Sequence, residues 1–391
     1  MCAHQLTLEN QRDTLTSWLF EKALPLWSET GLDRVQGGCF ETIGLDGNGT
    51  AAARRGRLHP RQIYVFQEAG RMGWNGSWER AAIHCYDYMV SHYATEQGYI
   101  ANLASADGEQ IDSSFILYNQ AFALLALASL AATAEGERKL TYIEQGRALL
   151  ELLLRHYKHP TAGFEEAQPT KDTLCSNPHM HLFEAMQAWM PVDHAGKWQA
   201  VAQEIADLAL DHMFDYETGI GEFFDRNWNP KDGAAGERLE PGHQYEWAWL
   251  LAHWYRKTGQ VKALEAAREL YKIAELHGLD EKSGLVFMAM DRSYNVVEAT
   301  CRLWGQTERL KTALVLGSLA ESDVEKGEYD NAAIAASVGL QKYFEGVPVG
   351  LWKDKYEPDG SFVEEAAPAS SLYHIVAAIS EFRQLVPIEA K

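Results

Sequence analysis

The sequence predicts an all-α chain of six stacked helical hairpins, and two regularities predict it. First, a glycine beside an apolar or aromatic residue recurs every 56 to 66 residues: Gly38, Gly98, Gly163, Gly219, Gly284 and Gly350, in GGCF, QGYI, AGFEE, TGIGEFF, SGLVF and VGLWK. A period of this length marks a repeated supersecondary unit that cannot bury its apolar face alone and stacks on its neighbours. Second, the helical stretches between the glycines alternate in character, apolar all round and then amphipathic.

The elements follow in order. FILYNQAFALLALASLAATA carries apolar residues at three- and four-residue steps almost all round, so it is buried on most sides. KLTYIEQGRALLELLLRHY keeps a charged face and suits an outer position. WQAVAQEIADLALDHMF is again amphipathic, YEWAWLLAHWYRKTG more apolar, and VKALEAARELYKIAELHG amphipathic. Between each outer helix and the next inner one runs a longer, glycine-bearing connection. Several carry Asp-Gly pairs, at Asp46-Gly47, Asp107-Gly108 and Asp359-Gly360, which predict short β-hairpins. These loops all precede inner helices, so they are expected to gather at one end and form the mouth of a site. Without a low-complexity or Pro/Ser-rich linker, residues 1–391 read as a single domain.

A net charge of −20 repels phosphate backbones, and no Lys/Arg cluster interrupts it, so nucleic acid is not an expected partner. The cysteines Cys2, Cys39, Cys85, Cys175 and Cys301 are scattered and form no C-x-x-C pair; they read as reduced core thiols. The N-terminal MCAHQLTLENQRDTLTSW lacks a basic region followed by an apolar one, and no apolar run approaches the roughly 20 residues that span a bilayer. A cytoplasmic protein without a membrane partner is expected.

Between 18 and 24 residues after each glycine stands a large side chain able to hydrogen-bond: Arg61, Tyr118, His181, His243, Trp304 and His374. If the six units close into a ring, these positions converge. In EPGHQYEWAWLLAHW, Pro-Gly ends the loop, His243 falls in the first helical turn, and Glu246 three residues on shares its face. A carboxylate there can accept an imidazole N–H and raise the basicity of the ring; the plainer reading is a pair that caps the helix. His374, in APASSLYHIVAAISEF, has apolar company, which ordinarily means a core histidine. Two histidines brought to one cavity are suited to proton transfer near neutral pH. CSNPHMHLFEAMQAW holds Asn177, His179 and His181. An H-x-H pair can be half a metal site, but no companion ligands follow at a suitable spacing, so polar sugar contacts fit better and no metal is expected. A buried Arg61 must be paired or face a ligand oxygen. Tyr118 and Trp304 offer an amphipathic edge and a stacking face, the plainer reading of each being core mass. No Gly-rich phosphate cradle is present.

Over nearly the full length these motifs resemble the N-acylglucosamine 2-epimerase superfamily. The strings are RQIYVF at Arg61, YNQAFALLALA at Tyr118, N-x-H-x-H-LFEA from Asn177 to His181, PGHQYEWAWLL at His243 and Glu246, RLWGQTE at Trp304 and SSLYHI at His374. The resemblance implies an (α/α)6 barrel, proton transfer beside a sugar carbonyl without a cofactor, and a homodimer. It implies His243 and His374 as the catalytic pair, with Arg61, Tyr118, Asn177, His181 and Trp304 on the substrate. Cellobiose epimerases usually pair two tryptophans where this chain has Leu303-Trp304; RLWGQTE and SSLYHI look most like the isomerases of free mannose and related monosaccharides. The expectation is an aldose–ketose isomerase, with a sugar 2-epimerase as the alternative on the same site. A glycoside hydrolase stays open, because the barrel also hosts enzymes that use two carboxylates, and Glu165, Glu166, Glu222 and Asp225 stand near the loops. A non-catalytic sugar-binding protein is the third reading.

Overall fold

The computed structural model describes residues 7–387. Among them, twelve helices of eleven residues or more occur in chain order: α1 (Leu8–Trp18), α2 (Leu58–Arg71), α3 (Trp78–Tyr93), α4 (Leu117–Thr133), α5 (Gly136–His156), α6 (Ser176–Trp189), α7 (Trp198–Leu208), α8 (Pro241–Thr258), α9 (Val261–His277), α10 (Leu303–Gly317), α11 (Asp323–Gln341) and α12 (Ala369–Leu385). None is long and apolar enough to cross a membrane.

The described residues form two compact units. One comprises Thr30–Thr42 and Gly49–Arg238. Within it α4 packs between α2 and α6, and α3, α5 and α7 each cover the inner helix before them. As the apolar pattern predicts, α4 is buried from Leu117 to Ala131 at all but Tyr118, whereas α5 buries one stripe of Tyr142, Gly146, Leu149, Leu150 and Leu153. The strand Arg54–Arg55 pairs with Leu103–Ala104, and that with Gln110–Asp112. Asp107-Gly108 closes the second pairing, with the Gly108 N–H donating to the Ser105 carbonyl at 3.1 Å.

The other unit comprises the described residues of Met1–Glu29, Ile43–Asn48 and those of Leu239–Lys391. Here α10 packs between α8 and α12, α9 covers α8, α11 covers α10, and α1 lies against α11 and α12. The Asp359-Gly360 turn closes a hairpin bridged at Tyr356 and Phe362, and at Asp46-Gly47 the Gly47 N–H donates to the Gly44 carbonyl at 2.8 Å. Cys39, Cys85, Cys175 and Cys301 are free thiols, buried except for the half-buried Cys175; Cys2 lies outside the described residues.

The six repeat glycines share one backbone state, the left-handed region, with φ between 70° and 92°. In four repeats a side chain from the first or second turn of the following inner helix reaches back and grips the amide just past the glycine. His59 Nε2 accepts the Cys39 N–H at 3.1 Å, and His179 Nε2 accepts the Phe164 N–H at 3.0 Å. Gln120 accepts from the Ile100 N–H and donates to its carbonyl, both at 2.9 Å. Gln306 does the same to Val286 at 3.3 and 3.4 Å. At Gly38 and Gly163 a β-carbon would collide with the gripping imidazole, so close approach as well as φ requires glycine there.

This grip fixes the true register of the repeat. Two residues before it stand Arg57, Tyr118, Asn177 and Trp304; two residues after it stand Arg61, Phe122, His181 and Glu308. Counting from the glycines had placed Arg61, Tyr118, His181 and Trp304 at one equivalent position, and the structure separates them into two, one helical turn apart. Pro60 and Pro178 each occupy the third position of their helix, where the missing N–H has no partner in the helix to lose.

Candidate active site

In the unit containing α8, α10 and α12, the loop ending at Glu240 enters α8 through Pro241, preset for the first helical position. His243 follows in the first turn. The Trp304 ring, from the start of α10, lies with its centroid 5.0 Å from that of His243 and 6.0 Å from that of His374. Gly242 makes this possible, because a β-carbon there would come within 2.3 Å of the Trp304 ring. Three of the expected residues, His243, Trp304 and His374, are thus gathered around one indole.

Each histidine has a carboxylate. His374 Nδ1 lies 2.8 Å from Glu308 Oε1, a contact between helices. His243 Nδ1 lies 3.4 Å from Glu240 Oε2, one turn before it. The sequence reading gave the second role to Glu246; that side chain is gathered with Glu308 and His374, the donor atoms of all three lying within 4.8 Å of one another. Those atoms could hold a cation, but Glu308 already shares its oxygens between His374 and the ammonium of Lys311, 2.6 Å from Oε2.

With a proton on Nδ1 facing its carboxylate, proton transfer at either ring falls to Nε2. Glu308 and Glu240 were not singled out from sequence. Glu308 lies in the RLWGQTE string, four residues and one turn past Trp304, and helical spacing from Trp304 was the signal that could have found it.

In the other unit, Arg61 Nη2 donates to Tyr118 Oη at 2.6 Å, and the guanidinium lies 4.2 Å from the Phe122 ring centre. His181 meets Tyr118 edge to face at 5.0 Å and Phe122 at 4.6 Å. Its Nδ1 lies 3.3 Å from Glu184 Oε2. The H-x-x-E geometry expected at His243 is therefore realised at His181. Asn177, half-buried one turn earlier, holds its Oδ1 away from water without a hydrogen-bond partner. Arg57 was missed: its guanidinium lies 5.2 Å from the Tyr118 ring centre. Burial, together with the nearby Arg55 and Arg61 charges, lowers it to about 10. Its place in the grip register, equivalent to Tyr118, Asn177 and Trp304, marks it as a member of the same set.

His179 belongs to the scaffold. Its Nδ1–H donates to the Cys175 carbonyl at 3.0 Å while Nε2 takes the Phe164 N–H, so both nitrogens are committed, and burial lowers the ring to about 4. The H-x-H half-site is not formed. The carboxylates that kept a hydrolase open are also engaged. Glu165 forms a two-pronged pair with Arg226, one arm at 2.7 Å. Asp225 accepts the N–H groups of Asn227 and Asn229 at 2.7 and 2.9 Å within its own turn. Glu166 accepts the Cys175 N–H, and Glu222 approaches the Ser176 hydroxyl at 3.5 Å.

A family model described as N-acylglucosamine 2-epimerase (GlcNAc 2-epimerase) matches residues 38–378. The chain is 45% identical over 375 residues to a protein of Rhizobium meliloti named mannose-6-phosphate isomerase, covering 95% of this chain and 96% of that one. It is 23% identical over 327 residues to a D-mannose isomerase of Marinomonas mediterranea, covering 79% and 82% of the two. Among solved structures, a cellobiose 2-epimerase from Bacillus thermoamylovorans superposes with a TM-score of 0.86 at 17% identity, over 96% of this chain and 99% of that one. That likeness shows the fold, the (α/α)6 barrel.

Proposed function

The chain belongs to the N-acylglucosamine 2-epimerase family and is a sugar isomerase or epimerase, and we propose that it interconverts D-mannose, or a closely related monosaccharide, with D-fructose. The observation that carries the reading is the pair of carboxylate-backed imidazoles flanking one indole, His243 with Glu240 and His374 with Glu308. Two imidazoles around a stacking face are suited to proton transfer on a sugar near neutral pH.

In this mechanism His243 opens the sugar ring by taking the proton of the anomeric O1 hydroxyl and passing it to the ring oxygen as the bond from C1 to that oxygen breaks, which leaves an aldehyde at C1. His374 Nε2 then removes the proton from C2. The electron pair left on C2 forms the C1–C2 double bond of an enediolate, and the negative charge moves to O1. Positively charged donors stabilise that charge where it develops. His243 carries a proton from O2 to O1, and His374 returns its proton to C1, leaving a carbonyl at C2. Delivery to the opposite face of C2 would give the epimer instead. Sequence similarity to the D-mannose isomerase and the single Trp304 beside Leu303 favour the ketose and a small sugar.

The test is proton NMR of D-mannose with the protein in deuterated water, run beside D-mannose 6-phosphate because of the name the Rhizobium relative carries. Fructose from free mannose supports the proposal. Glucose appearing first, with deuterium at C2, makes the chain a 2-epimerase, and turnover confined to the phosphate ester moves the substrate class.

A further inference from the structure

We infer that Lys311 is a positioning residue for His374, acting through Glu308 to hold the imidazole in its proton-accepting form; this rests on the proton-transfer role proposed for His374. Neither Lys311 nor Glu308 exposes any surface to solvent. Lys311 Nζ lies 2.6 Å from Glu308 Oε2, while Glu308 Oε1 holds His374 Nδ1 at 2.8 Å. One carboxylate thus joins a buried ammonium to a catalytic imidazole.

The ammonium is supported from its other side. It lies 3.8 Å from the centre of the Trp249 ring, whose negative face attracts a cation without needing a hydrogen bond. Past Trp249, His253 meets that ring edge-on at 5.2 Å, and its Nε2 lies 2.9 Å from Glu381 Oε1. Burial pushes the Glu381 carboxyl up, but His253, then Trp249 and then the Lys311 charge together more than offset this and leave it below its ordinary value. Lys311 therefore acts on two buried carboxylates, Glu308 by direct contact and Glu381 through its charge.

The charges decide the protonation state. Glu246 joins Glu308 and His374 within 4.8 Å, so two carboxylates crowd one imidazole. Carboxylates of this kind favour imidazolium, and imidazolium has no lone pair for the C2 proton. Lys311 compensates Glu308, leaving it an acceptor for the Nδ1 proton but a weaker source of field, so Nε2 stays unprotonated. The other titratable groups near this network are His243, Glu240 and Lys257 from α8 and its approach, and Glu381 from α12. From α9, Glu275 pairs with Arg309 at 2.6 Å. From α11, Tyr329 and Asp330 meet α10 at Gly317, six residues past Lys311.

The test replaces the charge at similar length, Lys311→Met, and follows the His374 ring by NMR, its signal assigned by its absence in His374→Asn. The imidazole titration and the acid limb of kcat/KM should both move up by about one pH unit or more, and Lys311→Arg should restore both. An unmoved titration in folded Lys311→Met overturns the inference. Glu308→Gln and the double variant Glu308→Gln/Lys311→Met keep the question decidable if the single variant does not fold. Equal His374 titrations in those two support action through Glu308, and unequal ones overturn it. The titration needs no substrate, so a wild type that turns over no mannose would sink the proposed reaction and leave this result standing.

Discussion

Glu308 and His374, 66 residues apart in sequence, share a 2.8 Å contact, and it sets which nitrogen of the imidazole can work. Glu308→Gln keeps the shape but removes the anion. We expect kcat to fall about 10²-fold with KM little changed, because the carboxylate acts on the base and not on the sugar. A KM rise with kcat preserved would place Glu308 on the substrate.

His374→Asn should abolish exchange of the C2 proton with solvent and leave the thermal transition near that of the wild type. NMR of the sugar in deuterated water reads the first, calorimetry the second. Persistent exchange would assign the C2 proton to another base.

His179 makes an opposite prediction, about stability without activity. Its imidazole is held neutral, at about 4 against an ordinary 6.5. The unfolded chain therefore binds the extra proton first as pH falls. The stability contributed by neutral His179 is complete above pH 6.5 and drains away between 6.5 and 4. Gln120 and Gln306 make the same grip with an amide that does not titrate, so His179→Gln should flatten the loss of stability on acidification over that range. Denaturant midpoints measured at several pH values would show it, and an unchanged slope would contradict it.

Gly242→Ala should disturb the site without touching a proton-transfer group. The added methyl must displace the Trp304 ring or the start of α8, an overpacking that costs about 1–3 kcal/mol. A lower melting temperature and a higher KM are expected together.

Arg57→Gln tests the register of the repeat. If Arg57 contacts sugar with its repeat equivalents Tyr118 and Asn177, losing the guanidinium should raise KM about tenfold with a smaller effect on kcat. Unchanged kinetics would make Arg57 a support for Tyr118 alone.

The legible and the hidden parts of this molecule differ for physical reasons. The glycine period and the alternation of apolar and amphipathic helices report burial, and burial is what a sequence pattern encodes; α4 and α5 are buried and half-exposed as read. His243, Trp304 and His374 were legible because polar or aromatic side chains at helix starts stand out. Partners were harder. Helical spacing put Glu246 on the face of His243, but the convergence of Glu246 with Glu308 and His374 depends on how α8, α10 and α12 pack, which no local pattern records. The run TERLK carries three charged side chains. Yet every residue of α10 from Leu303 to Gly317 is buried, because α8, α11 and α12 enclose it, and Glu308, Arg309 and Lys311 are neutralised from within. His179 misled in the reverse sense: it looked like chemistry and is a clamp, a role visible only through the backbone amide it holds.

The enclosure of α10 reaches into how the protein answers its medium. Dissolved ions screen charges by gathering around them, over about 8 Å at physiological ionic strength, and they cannot gather around Glu308 and Lys311, which expose no surface. The protonation balance of His374 should therefore hold nearly constant from dilute buffer to concentrated salt, even though a chain of net charge −20 will change its long-range field greatly over the same range.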